Sequence, residues 1–131
     1  MKITADANVL IRAMTGDDAR QSRLAREELA RAETVAVTLP ALCELVWVLS
    51  RGYKAPAVEI VKGIRRLIDA ANVETNRPAA EAGLALLEAG GDFADGAIAH
   101  EGRWLGAETF VSFDRKAVKL LDGRGESARL L

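Results

Sequence analysis

Short β-branched runs alternate along this chain with longer stretches of helical periodicity, and that alternation limits the folds open to it. Lys2 to Ala5, Thr34 to Thr38, Asn72 to Glu74, Glu108 to Ser112 and Ala128 to Leu131 read as strands. Asn8 to Met14 reads as a helix, as does the following segment with its stripe of Leu24, Ala25, Leu29 and Ala32. Leu39 to Ser50 is apolar almost all round and is expected to be a helix buried on most sides. Pro56 opens a further helix carrying Val58, Val61, Ile64 and Ile68. Pro78 to Ala89, Phe93 to Trp104 and Arg115 to Leu121 complete the helical set, with Gly90-Gly91 as a stop signal. Strands alternating with helices in this way predict an α/β fold with a mainly parallel central sheet flanked by helices. No repeat or Pro/Gly/Ser linker divides the chain, so residues 1–131 are expected to form one domain.

Four acids stand in or beside apolar segments of this pattern. Asp6 ends the first strand run, and Glu44 is the only charge between Leu39 and Ser50. Asp95 sits within Phe93-Ala94-Asp95-Gly96-Ala97-Ile98, and Asp114 follows Thr109-Phe110-Val111-Ser112-Phe113. Carboxylates in apolar surroundings need a partner charge or a metal. Oxygen-only donors suit Mg²⁺ or Mn²⁺ rather than zinc. In parallel α/β sheets ligands gather at the carboxyl ends of strands, where Asp6 and Asp114 both fall. Each acid also has a plain structural role open to it. Asp6 and Asp114 are good helix N-caps, and Asp92 is the better cap for its own helix. Glu44 has Arg12 and Arg51 as candidate ion-pair partners, and the plain reading of Asp95 is a partly exposed helix residue.

Several chemistries are set aside by composition. The net charge is −1, against the basic balance of a chain that holds nucleic acid by charge alone. His100 is the only histidine and has no cysteine or second histidine at zinc spacing. Cys43 is the lone cysteine, so no intramolecular disulfide forms, and a reducing cytoplasm is the expected compartment. No stretch approaches the roughly 20 apolar residues of a membrane span. Gly90-Gly91 lacks the spacing of a phosphate-binding loop.

Four segments taken in order resemble the PIN-domain family, specifically the VapC-type toxins of toxin–antitoxin modules. They are Asp6-Ala7-Asn8-Val9-Leu10-Ile11-Arg12 with Gly16-Asp17-Asp18 and Gln21, then Leu42-Cys43-Glu44-Leu45-Val46-Trp47-Val48-Leu49 with Tyr53. The third is Asp92-Phe93-Ala94-Asp95-Gly96-Ala97-Ile98-Ala99, and the fourth Ser112-Phe113-Asp114-Arg115-Lys116. The resemblance implies a metal-binding catalytic quartet of Asp6, Glu44, Asp95 and Asp114, with Asp92 as an accessory acid and Asn8 and Ser112 as polar supports. It implies strand order 3-2-1-4-5, a homodimer, an antitoxin encoded alongside, and RNA cut by hydrolysis to leave a 5′-phosphate. Arg12, Arg115 and Lys116 are the candidate substrate-binding cations. Ala7 replaces a residue often hydroxylated in the family. Gly96 stands where alanine is common, with a looser helix as the expectation.

Two competing functions fit parts of this pattern. A metal-dependent phosphatase with Asp6 as nucleophile usually has a second acid where this chain has Asn8. A non-catalytic acidic pocket receiving a basic peptide needs the acids but no metal chemistry.

Overall fold

The structure, a computed structural model, describes residues 1–131. It divides into two compact units, Met1–Asn76 and Arg77–Leu131. The first runs β1 (Lys2–Thr4), α1 (Ala7–Thr15), α2 (Ala19–Arg31), β2 (Thr34–Val37), α3 (Leu39–Trp47), α4 (Ala57–Ile68) and β3 (Val73–Thr75), with a π-helical turn at Val48–Gly52. The second runs α5 (Arg77–Glu88), α6 (Phe93–Trp104), β4 (Phe110–Ser112), α7 (Arg115–Gly123) and β5 (Ala128–Leu130).

All strand pairing is parallel, as the alternation with helices predicts. In the first unit β2 lies between β1 and β3, with Ile3 opposite Val35 and Ala36 opposite Glu74. In the second, β4 pairs with β5, Val111 opposite Arg129. The strand orders are thus 3-2-1 and 4-5 within the two sheets. β1, β2, β4 and β5 are one or two residues shorter than the runs read from sequence, and β3 is shifted by one residue to Val73–Thr75. Val35 and Val37 are buried while Thr34 and Ala36 are only partly covered, the period of two expected of a strand.

The helices are terminated by identifiable chemistry. Gly16 closes α1 in the left-handed conformation, φ 74°, which a residue with a Cβ adopts at a cost. Asn72, read from sequence as the start of a strand, instead donates through Nδ2 to the carbonyls of Leu29 (2.8 Å) and Ala32 (2.9 Å). It therefore satisfies carbonyls that α2 leaves without a helical partner.

Two helices differ from expectation. The segment from Leu39 is α-helical only to Trp47, and it is not buried on most sides. Ala41, Leu42, Leu45 and Val46 face inward, while Glu44, Trp47 and Ser50 share an exposed face. Trp47, within this apolar run, is 63% exposed. In α4 the buried line is Ile60, Ile64 and Ile68, and Val58 is exposed.

In the second unit α5 and α6 approach closely. A Cβ on Gly96 would lie 2.5 Å from the Ala82 carbonyl oxygen and 2.9 Å from the Gly83 Cα. A Cβ on Gly83 would in turn lie 2.6 Å from the buried Phe93 ring. Gly96 therefore does not loosen α6, which runs unbroken through it. Its missing side chain is what lets the two backbones meet. Leu86, Ala99 and Leu121 form a buried cluster beneath this pair, with Phe110, Leu120 and Ala128 packed around it.

Candidate metal centre

The second unit brings three of the sequence-identified acids together. Gly90 adopts φ 99° and the Gly91 N–H donates to the Leu86 carbonyl at 2.8 Å, so α5 stops sharply and the chain enters α6 at Asp92. Asp92 occupies the N-cap position, but its carboxylate accepts no capping hydrogen bond. The structural role assigned to that side chain by sequence is not the one it plays. Asp95 lies in the first turn of α6 and is half-buried.

Asp114 arrives from the end of β4. Its Oδ1 accepts from the backbone N–H groups of Lys116 (2.9 Å) and Ala117 (3.1 Å), and its own N–H donates to Ser112 Oγ at 2.9 Å. Ser112 thus supports the turn that aims Asp114. Capping uses one carboxylate oxygen and leaves Oδ2 for another partner, so cap and ligand are compatible roles here.

One oxygen from each of Asp92, Asp95 and Asp114 lies within 4.8 Å of the others. None of the three carboxylates forms an ion pair. Burial pushes the Asp95 carboxyl above the usual range, and the negative charges of Asp92 and Asp114 push it further. These features fit a divalent cation. Octahedral coordination at about 2.1 Å puts ligand oxygens roughly 3.0–4.2 Å apart, within the span observed. The donors are all hard oxygens, as Mg²⁺ and Mn²⁺ require. A pocket of about 50 Å³ is lined by Gly90, Gly91, Asp92, Asp95, Asp114, Lys116 and Ala117. That is room for an ion with a water or two, given about 30 Å³ per water. Lys116 borders the pocket, and Arg115 is exposed beside it at the start of α7.

The first unit carries Asp6, Asn8, Arg12 and Glu44. Asp6 caps α1, its Oδ1 accepting from the Val9 N–H at 3.0 Å, which again leaves the second oxygen free. Asn8 is exposed in the first turn of the same helix. Glu44 is exposed on α3 and pairs with neither Arg12 nor Arg51. Apolar sequence neighbours suggested burial for Asp6, Glu44 and Asp114, yet all three side chains reach solvent; only Asp95 is partly enclosed. The reason is position. Three of these acids stand at helix starts, and Glu44 on an outward helix face.

Arg12 is committed elsewhere than expected. Its Nη1 donates to Asp17 Oδ1 at 3.0 Å and its Nε to Gln21 Oε1 at 2.7 Å. Asp17 also accepts from Tyr53 Oη at 2.5 Å, a tie that sequence inspection missed. Gly16-Asp17-Asp18 has turn-forming composition, and nothing local points to a tyrosine 36 residues away.

A family model for the PIN domain matches residues 3–121. No curated protein matches the chain significantly. PIN domains are typically metal-dependent nucleases, and the carboxylates clustered at α6 and α7 are oxygen donors of the kind such an activity uses. No helix is long and apolar enough to cross a membrane. With a match that runs from β1 into α7, this chain belongs to the PIN-domain family.

Proposed function

We propose that this protein is a Mg²⁺- or Mn²⁺-dependent endoribonuclease, the toxin of a toxin–antitoxin pair, acting in the cytoplasm as a homodimer. The observation that carries the reading is the Asp92–Asp95–Asp114 cluster, three close carboxylates without an ion-pair partner, in a PIN-family chain. Asp95 and Asp114 hold the ion, Asp92 assists, and Asp6 and Glu44 complete the acidic set, all within one PIN domain over 1–131. The family match, continuous through both units, supports treating them as one domain.

When bound, a divalent ion supplies charge neutralisation at the phosphodiester and a water acidic enough to attack near neutral pH. The chain's own residues do the rest. The two helix starts hold Asp92, Asp95 and Asp114 in place before substrate arrives, so little reorganisation is needed on binding. Ser112 fixes the Asp114 turn and Asn8 supports Asp6. Arg115 and Lys116 contact phosphates flanking the cut, with Arg12 as a further cation.

Antitoxin control follows from the same charge pattern. A basic side chain placed among the acids competes with the ion, and apolar contacts nearby supply most of the affinity. A groove of about 380 Å³ over α1 and α2, floored by Val9, Leu24 and Ala25, suits that second task.

The test is cleavage of RNA by the purified protein with Mg²⁺ or Mn²⁺, against EDTA and against Asp95→Asn. Metal-dependent internal cuts bearing 5′-phosphates, lost in Asp95→Asn, are expected. Cleavage that survives both EDTA and the substitution would sink the reading, and phosphate release from small monoesters alone would replace it with a phosphatase.

A further inference from the structure

Asp17 joins parts of the first unit that are distant in sequence. It stands just past the left-handed Gly16 that ends α1. Oδ1 accepts from Thr15 Oγ1 at 2.9 Å and Arg12 Nη1 at 3.0 Å, both on α1. Oδ2 accepts from Tyr53, beyond α3, at 2.5 Å. Arg12 carries the network to α2 through Gln21.

Tyr53 is held for this contact by its backbone. The π-helical turn after α3 shifts everything beyond it by about one residue, or roughly 100° around the axis. Tyr53 N–H donates to the Val48 carbonyl at 3.1 Å, and Ala55 N–H to the Leu49 carbonyl at 3.0 Å. Between them Lys54 takes φ 53°, the one left-handed residue in the chain that is not glycine. Such a conformation costs about 1–3 kcal/mol and persists where surrounding contacts impose it.

The network ties α1, whose N-cap is Asp6, to the turn that follows α3, the helix carrying Glu44. Asp6 caps the start of α1, and α1 packs against α3, on which Glu44 lies. α1 is a rod of nine residues, about 13 Å long. Released at the Asp17 end and pivoting about its middle, α1 tilted by about 5° displaces its Asp6 end by roughly 0.6 Å. Metal sites tolerate a few tenths of an ångström in ligand distance.

We propose that Asp17 and Tyr53 are positioning residues that lock α1 against α3 and thereby set the spacing of Asp6 and Glu44 for the metal. This rests on the reading above in which Asp6 and Glu44 serve the metal centre. The Tyr53 hydroxyl, followed by Thr15 and Arg12, holds the Asp17 carboxyl below the usual range, so the anionic acceptor is present throughout neutral pH.

The experiment measures Mn²⁺ affinity by electron paramagnetic resonance of free Mn²⁺, with thermal melts in EDTA alongside, for the native chain, Tyr53→Phe, Asp17→Ala, their double variant and Glu44→Gln. Tyr53→Phe should weaken Mn²⁺ binding about five- to tenfold while the metal-free melting temperature moves by only a few degrees. Asp17→Ala should weaken it at least as much, and the double variant no more than Asp17→Ala alone, as two members of one tie require. Native Mn²⁺ affinity in Tyr53→Phe and Asp17→Ala, with binding lost in Glu44→Gln, overturns the positioning role and leaves the site reading standing. Native affinity in Glu44→Gln overturns the site reading itself. Lower melting temperature with unchanged affinity assigns the network to stability alone and likewise overturns the proposal.

Discussion

Single carboxylates in this protein differ in what they already hold, and the differences are measurable. Asp114 caps α7 with two backbone bonds, whereas Asp92 sits at a cap position and makes none. Asp114→Ala should therefore cost about 1 kcal/mol of metal-free stability, the usual worth of an N-cap. Asp92→Ala should stay within about 0.5 kcal/mol of the native value, as surface changes away from such features do. Urea melts in EDTA compare the two; equal losses would mean that Asp92 caps after all. Asp95 adds a pH signature. Its carboxyl titrates above the ordinary range because of burial and its two acidic neighbours. Between the unfolded and folded pKa values the native chain retains a proton that the unfolded chain has lost. Metal-free stability therefore falls as pH rises through that window, and levels off above the Asp95 pKa. Asp95→Asn should remove this fall, and melting temperature against pH in EDTA reads it. An unchanged slope in the variant would show that another group is responsible.

Elements are positioned here by what is missing as much as by what is present. Helix propensity favours alanine over glycine by about 1 kcal/mol, so Gly96→Ala would stabilise an isolated α6. The added Cβ would meet the Ala82 carbonyl oxygen at 2.5 Å, and a backbone atom in a packed helix cannot swing aside. Overpacking of this kind costs about 1–3 kcal/mol. Gly96→Ala is expected to lower stability and, by pushing α6 off α5, to weaken metal binding at Asp95 one residue away. A gain in melting temperature would mean that the helices slide apart freely. The same element shows what sequence reveals and what it hides. The bounds of α6, Phe93 to Trp104, were legible because Gly90-Gly91 and Asp92 punctuate its start. The close approach at Gly96 was not, since it depends on which helix faces it. Glu44 was misjudged for a related reason. Trp47 and Cys43 count as apolar neighbours along the chain, but Trp47 is exposed and the face they share opens to solvent.

For the molecule as a whole, the order of strands and helices and the acids at β-strand ends were readable from local chemistry, because capping and β-branching act within a few residues. Contacts that span the sequence, such as Asp17 with Tyr53, carry no local signal. Charge is the remaining global property, and it bears on how the proposed RNA substrate would be held. With 18 basic against 19 acidic residues, the chain has no net basic excess to hold RNA by charge alone. If Arg115 and Lys116 are the principal phosphate contacts, about two counterions leave single-stranded RNA on binding. The logarithm of the association constant should then fall with the logarithm of salt at a slope of about −1.4. Affinity would drop only about sevenfold between 50 and 200 mM monovalent salt. Binding is measured with Ca²⁺ in place of the catalytic ion, so that the RNA stays whole, and at constant Ca²⁺ so that metal loading does not vary. Arg115→Gln should bring the slope to about −0.7, the value for one contact. A native slope of −4 or steeper would mean that the RNA follows a longer basic path than these two side chains provide.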